Sequence, residues 1–468
     1  MKTKKVISLL LALSLTMAAI TGCGGNAGTA ASASQEPSSE AAASEAAADI
    51  SAAPEAERET TEADSLIGEP FAETVNISLL NSKPEITKAL EAGAGIFSEK
   101  YNVVIEVFET DSPGDVIAQR YASGDAPTIA ILDYINVVDL SAEKILDLSD
   151  QPWCEAGGRD LGVIVNDKVY GMPLTVEGRC LLYNKTIIEE LTGREFSTDD
   201  YVTLDQFSAL VDELKEAGME HPVVLNSEDW SIGQHFYQYI YMLQDGTAAG
   251  GISFLNDVHN GNTTFNENDV FNKVYDAMDI FIANNINQAD PLAADYDLNA
   301  SYVAEGEAAF WLNGTWAWPD FEPFIVEGME YGTLAFPING APELEGRLAA
   351  SGTKFISIDV ANSTKDQQEA AKLFLNWLVF DSEGQNVLIN DCGIVTAFTN
   401  IVLPPSNPFN VGLKEYIDKG MTVEGVTYMP SDHRSSLAAN MQAYLDGVMS
   451  RAEVAGKLDE YWTINSPK

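Results

Sequence analysis

Three of the chain's seven tryptophans fall within eight residues, WLNGTWAW, Trp311 to Trp318, with Pro319 and Asp320 directly after them. An Asn-Gly turn signal, Asn313-Gly314, sits inside the run. Indole is a large flat apolar surface with one polar edge. A polar loop this rich in it either packs a core or presents rings to something flat. Groups that break bonds show no comparable grouping. There is no glycine-rich phosphate loop, no dinucleotide fingerprint and no nucleophile elbow. The four histidines (His221, His235, His259, His433) lack metal-ligand spacing and are expected on the surface. Asp295–Asn299, DYDLN, begins like a calcium loop but has Ala300 where the turn needs Gly and Gly306 where the last ligand belongs. No metal, cofactor or catalytic set is therefore expected. Paired carboxylates for glycoside hydrolysis stay open, because 71 acidic residues offer too many pairs to choose among.

Those 71 acids face 26 Lys and Arg, a net charge of −45. Such a chain repels phosphate backbones, which argues against nucleic acid and mildly against a polyanionic ligand. At 468 residues it exceeds the size at which single cores stop growing, so two lobes are expected. Residues 1–22 combine Lys2, Lys4 and Lys5 with the apolar run VISLLLALSLTMAAI, the pattern of a signal peptide. ITGC, Ile20 to Cys23, resembles a bacterial lipobox, which implies diacylglycerol on Cys23, and two acyl chains suffice for stable anchoring. From Cys23 to residue 72 the chain is rich in Ala, Ser and Glu and reads as a disordered acidic linker. Roughly 45 such residues reach ~35–40 Å. Cys154, Cys180 and Cys392 are too widely spaced for a disulfide framework and are expected to be buried free thiols.

Ordered patterning begins at ETVNISLL, where Val75, Ile77 and Leu79 alternate as in a strand. A helix follows over 83–101 with Ile86, Leu90 and Phe97 on one face, then a strand over 102–109. A helix capped by Ser112 and a strand ending at Asp133 come next. This β-α-β-α-β order predicts an α/β fold with a largely parallel sheet. Later come a strand over 353–360, a helix begun by Ser363, and two closing helices. Ligands of open α/β sheets sit beyond the carboxyl ends of strands. That singles out Asn81 to Lys83, Asp133 with Tyr134, and the tryptophan loop.

Five segments in order carry a resemblance. ASGDAPTIAILD, NDKVYGMPLTVEGRCLLYNKTII, YVAEGEAAFWLNGTWAW, YGTLAFPI with SGTKFISI, and AAKLFLNWLVFDSEGQ resemble the solute-binding proteins of carbohydrate ABC importers, the group that includes maltose-binding protein. The resemblance runs from about Val75 to the C-terminus. It implies a two-lobed type II periplasmic-binding-protein fold that closes on ligand by hinge motion. Lobe 1 would be residues 73–176 with 353–402, and lobe 2 residues 177–352 with 403–468. The hinge would run near Thr175–Gly178 and Ala350–Gly352. It further implies a non-enzymatic monomer, lipid-anchored on the extracellular face, that delivers a sugar or oligosaccharide to membrane permease subunits.

The same resemblance assigns site residues. Trp316 falls on a tryptophan that stacks on a sugar ring, and Glu177 on a hinge glutamate that binds hydroxyls. Arg179 lies two residues on, on the same side of an extended segment; a structural Glu177–Arg179 pair is the alternative. Asn81, Lys83 and Glu85 fall on a polar cluster after the first strand; Lys83 and Glu85 equally suit a helix start. Asp133 and Tyr134 either reach the cleft or face solvent. Trp230 is a second platform. Trp311 divides evenly between ligand and core, Trp318 is expected to pack, and Asn313 with Gly314 to make the turn that lets backbone approach ligand, Asn313 either binding the sugar or only capping the turn. Ala439 stands where maltose-binding relatives carry a further aromatic platform, so maltose itself is not implied. Another solute, such as a polyamine, and a secreted carbohydrate-active enzyme are the alternatives.

Overall fold

The computed structural model describes residues 62–467 apart from 142, 427 and 428, so the expected leader, Cys23 and most of the linker lie outside the described residues. The linker ends earlier than expected. Glu62–Ile67 is helical, and Ile67 is buried in a core with Leu373 and Phe374, because it is an apolar side chain within reach of that core. No helix among the described residues is long and apolar enough to cross a membrane.

Ten strands form the sheet: β1 (Val75–Asn81), β2 (Val103–Glu109), β3 (Ile129–Leu132), β4 (Val163–Val165), β5 (Lys168–Asn184), β6 (Val223–Val224), β7 (Phe310–Gly314), β8 (Tyr331–Leu334), β9 (Leu348–Ile358) and β10 (Thr422–Glu424). The main order is β2-β1-β3-β9-β5-β7-β6. β1 pairs parallel with β2 and β3, as the β-α-β pattern predicts, but β9 and β5 run antiparallel to their neighbours. The sheet is therefore mixed rather than largely parallel. Strands that arrive from far along the chain are not bound by the crossover rule that makes successive βαβ strands parallel.

β5 spans 17 residues and carries the chain from one half of the molecule to the other. Its first part pairs with β9, from Met172↔Ile356 to Arg179↔Ala349; its last part pairs with β7 and β8. Almost every side chain along it is buried, as in a strand covered on both faces. Pro173 cannot donate to a ladder, and the register shifts beside it and again at Val176. There the Val176 amide donates to the Val395 carbonyl at 2.7 Å, so three segments run side by side.

Each half packs helices on both sheet faces. In the first, Ile77, Leu79, Phe97 and Ile356 meet Phe374 and Trp377 on one side, while Leu80, Leu132 and Phe355 meet Ile117 and Val137 on the other. The second half holds Phe207, Tyr237, Tyr275, Phe310 and Trp462 in one core and Trp311, Phe321, Leu348 and Phe409 in another. Ile86, Leu90 and Phe97 are buried as their spacing predicts. Two caps differ. Ser112 precedes the helix Pro113–Ser123, but its hydroxyl donates to Asp111 rather than capping. The helix Lys365–Phe380 is capped by Thr364 in a reciprocal box with Gln367. Ser363 is drawn into the preceding turn, where the Asp359 carboxylate collects the amides of residues 361 to 363. Cys154, Cys180 and Cys392 are free and buried.

Candidate functional site

The handover from β9 to β7 along β5 positions the candidate residues. In the ladder Arg179 lies opposite Ala349 on one side and Gly314 on the other. Asn313 and Gly314 are the end of β7, not a turn. Gly314 is extended, and an added Cβ would sit 2.0 Å from the Trp316 ring, so glycine is there to let the indole lie across the backbone. Two cavities meet at Trp316. One, with about 20 Å³ of free space, is lined by Arg179, Asn226, His235, Tyr239, Asn313 and Trp316 among others. The other, with about 10 Å³, takes Lys83, Glu85 and Ile86 from the first half and Thr315, Trp316 and Pro319 from the second. A larger space of about 410 Å³ lies elsewhere, between Tyr183, Thr333 and Tyr416.

Trp316 is half-buried, with the His235 ring 4.8 Å away and the Trp230 ring 6.3 Å away, both edge-on. Trp230 also meets Tyr296 at 5.6 Å. Trp311, in contrast, is a core residue: it has no exposed surface, and its indole N–H donates to Asn226 Oδ1 at 2.8 Å. β7 is covered on both faces, so its alternation leaves no solvent side. Trp318 packs against Phe409 at 5.2 Å.

Glu177 and Arg179 do not pair. Glu177 Oε1 meets Lys83 Nζ at 2.5 Å, and its Oε2 accepts from the Thr353 hydroxyl. Lys83 also meets Glu85 at 2.6 Å. This ion pair ties the end of β1 to β5. Burial works to raise the Glu177 carboxyl, but the charge and hydrogen bond of Lys83, the Thr353 hydroxyl and Lys354 hold it below the ordinary value. Burial works against the Lys83 charge, and the two glutamates outweigh it and push its pKa up. Breaking such a pair strands a buried charge at about 3–5 kcal/mol.

Asn81 lines neither cavity. Both ends of its buried amide are committed to the local turn, accepting from the Lys83 amide and donating to the Lys83 carbonyl and Thr87 hydroxyl. It positions Lys83 rather than facing a cavity. Asp133 pairs with Lys354 at 2.7 Å and Tyr134 packs on Phe355; neither lines either cavity.

Arg179 is 8% exposed; one Nη donates to Ser351, and its Nε has no partner. Asn313 Nδ2 donates to the Tyr296 hydroxyl at 3.1 Å and its Oδ1 is unpartnered, as are the Tyr239 hydroxyl and His235 Nδ1. Buried polar groups are normally satisfied, and four orphans lining one cavity mark a place for a polar ligand. His235 and Tyr239 escape a search for motifs, although their i, i+4 spacing puts them on one helix face. His235 lies in a π-helical turn, Ser231–His235, a distortion frequent at functional sites. Burial, then Arg179, Lys354 and Lys83, keep its imidazole neutral. His433 is also interior rather than on the surface: it sits 3.0 Å from the Tyr241 hydroxyl, and burial lowers it to about 3. Asp295 caps the helix Tyr296–Ala304 by accepting from Leu298, so that segment starts a helix rather than a calcium loop.

Solved structures of the same shape define the class. RafE in complex with raffinose superposes with a TM-score of 0.68 at 21% identity, covering 84% of this chain and 99% of that one. A manno-oligosaccharide-specific protein of Bifidobacterium animalis subsp. lactis, in complex with mannotriose, gives a TM-score of 0.62 at 17% identity, covering 84% and 94%. This is the two-lobed fold of solute-binding proteins. The chain belongs to the family of bacterial extracellular solute-binding proteins, whose model matches residues 94–411. A multiple sugar-binding protein of Streptococcus mutans is 28% identical over 321 residues, 64% of this chain and 70% of that protein. Proteins of this family bind solutes rather than transform them.

Proposed function

We propose that the chain binds a sugar or oligosaccharide outside the cell and delivers it to the membrane permease of an ABC importer. The observation that carries this is the set of aromatic rings around Trp316, joined to four orphaned polar groups in a cavity beside it. Pyranose faces are C–H surfaces that lie on aromatic rings, and their hydroxyl edges need the planar polar partners that Asn313, Arg179 and Glu177 supply. Sugar-binding relatives support the same reading. The two lobes divide at residues 176/177, 352/353 and 402/403, with the crossing at Thr175–Gly178 and Ala350–Gly352 as the hinge. Ligand contacts from both lobes shift the population toward the closed form. Cys23 carries the lipid that holds the protein near its permease, and the protein works as a monomer without catalysis.

A thermal-shift screen against mono- and oligosaccharides tests the reading. Ligand at about 100 times its Kd adds roughly 2.7 kcal/mol and a clear rise in melting temperature. Stabilisation by spermidine with none by any saccharide would overturn the ligand class, and hydrolysis of the bound saccharide would overturn the transport role.

A further inference from the structure

The cations nearest His235 are not equally satisfied. Lys83 has Glu177 and Glu85, Lys354 has Asp133, and Arg434 has Asp229 at 3.1 Å. Arg179 has no carboxylate within ion-pair distance among the described residues. The nearest acid along its strand, Glu177, has both oxygens occupied by Lys83 and Thr353. A guanidinium cannot neutralise itself by losing its proton, so a buried one without a partner is costly. It is tolerated where a ligand completes it. Around it the cavity offers the unpartnered hydroxyl of Tyr239, a residue 2% exposed, and the unpartnered Oδ1 of Asn313, a residue 5% exposed. The one charged side chain lining this cavity among the described residues is Arg179, inside a chain of net charge −45.

We propose that the ligand is an acidic saccharide whose ring carboxylate is received by the Nε edge of Arg179 and the Tyr239 hydroxyl, with Trp316 beneath the ring and Asn313 accepting from a hydroxyl. This rests on the sugar-binding reading and specifies the sugar. A single carboxylate meets the one cation that lines this cavity among the described residues, whereas a polyanion would meet the acidic surface.

Calorimetric titration compares galacturonic acid and digalacturonate with galactose, galactobiose and the methyl ester of galacturonic acid. The acid forms are expected to bind roughly 10- to 100-fold tighter than their neutral counterparts, the factor for one charge-assisted bond. Arg179→Gln should weaken the acid forms far more than their neutral counterparts and so erase that preference, and Arg179→Lys should restore part of it. Should Arg179→Gln not fold, the ester on the unaltered protein carries the test. Equal or tighter binding of the ester or of neutral sugars overturns the acidic assignment and leaves the sugar reading standing. No binding of any saccharide overturns both.

Discussion

At Gly314 the backbone is extended, φ −159° and ψ 172°, a conformation open to any residue, so the requirement for glycine there is spatial. A Cβ would overlap the Trp316 ring. Gly314→Ala should therefore displace the indole and weaken saccharide binding about tenfold or more, ~1.4 kcal/mol, with the melting temperature little changed; calorimetry with both readouts checks this. Asp320 follows four residues after that tryptophan. Burial and the carboxylates of Glu85 and Asp297 push it up to about 6, against the opposing charge of Lys83. The folded state then holds a proton between about pH 4 and 6 that the unfolded chain has released, so this group's contribution to stability falls as pH rises through that window. Asp320→Asn is expected to raise the melting temperature above that of the unaltered protein at pH 7.5, with the gap closing by pH 4. A constant gap across that range would refute the assignment.

Element by element, the local signals held where they depend on neighbours in sequence. The alternation of Val75, Ile77 and Leu79 and the spacing of Ile86, Leu90 and Phe97 place β1 and the following helix, since one buried face suffices to write them. The antiparallel pairing of β5 with β9 was not legible, because it joins residues about 180 apart and no local periodicity encodes a partner. The capping error at Ser363 has a similar origin: Asp359, four residues away, claims its amide. Thr364→Ala should accordingly cost ~1 kcal/mol by denaturant unfolding, and Ser363→Ala much less. A larger loss at Ser363 would contradict the observed box.

On the scale of the whole molecule, the cavities arise where residues from distant segments converge. Lys83 and Glu177, 94 positions apart, close one wall through a buried ion pair. Arg179, Tyr239 and Asn313 close another from three separate elements. Glu177, Arg179, Asn313 and Trp316, which line the cavities, stand in segments that a family motif marks, while Trp230 lines neither and stands beside the Trp316 ring. His235 and Tyr239 stand in an aromatic helix indistinguishable from a core segment until the fold aims them at the cavity. Trp311 misled for the opposite reason: it shares the motif of Trp316 but faces a layer covered by the helix Tyr296–Ala304. The central claim is that a saccharide rests on Trp316. Parallel calorimetric titration of the unaltered protein and Trp316→Ala with the strongest saccharide from the screen tests it most directly. The expected result is one-to-one binding weakened at least ~30-fold (~2 kcal/mol) in a variant that still unfolds cooperatively; equal affinity in the two proteins would contradict it.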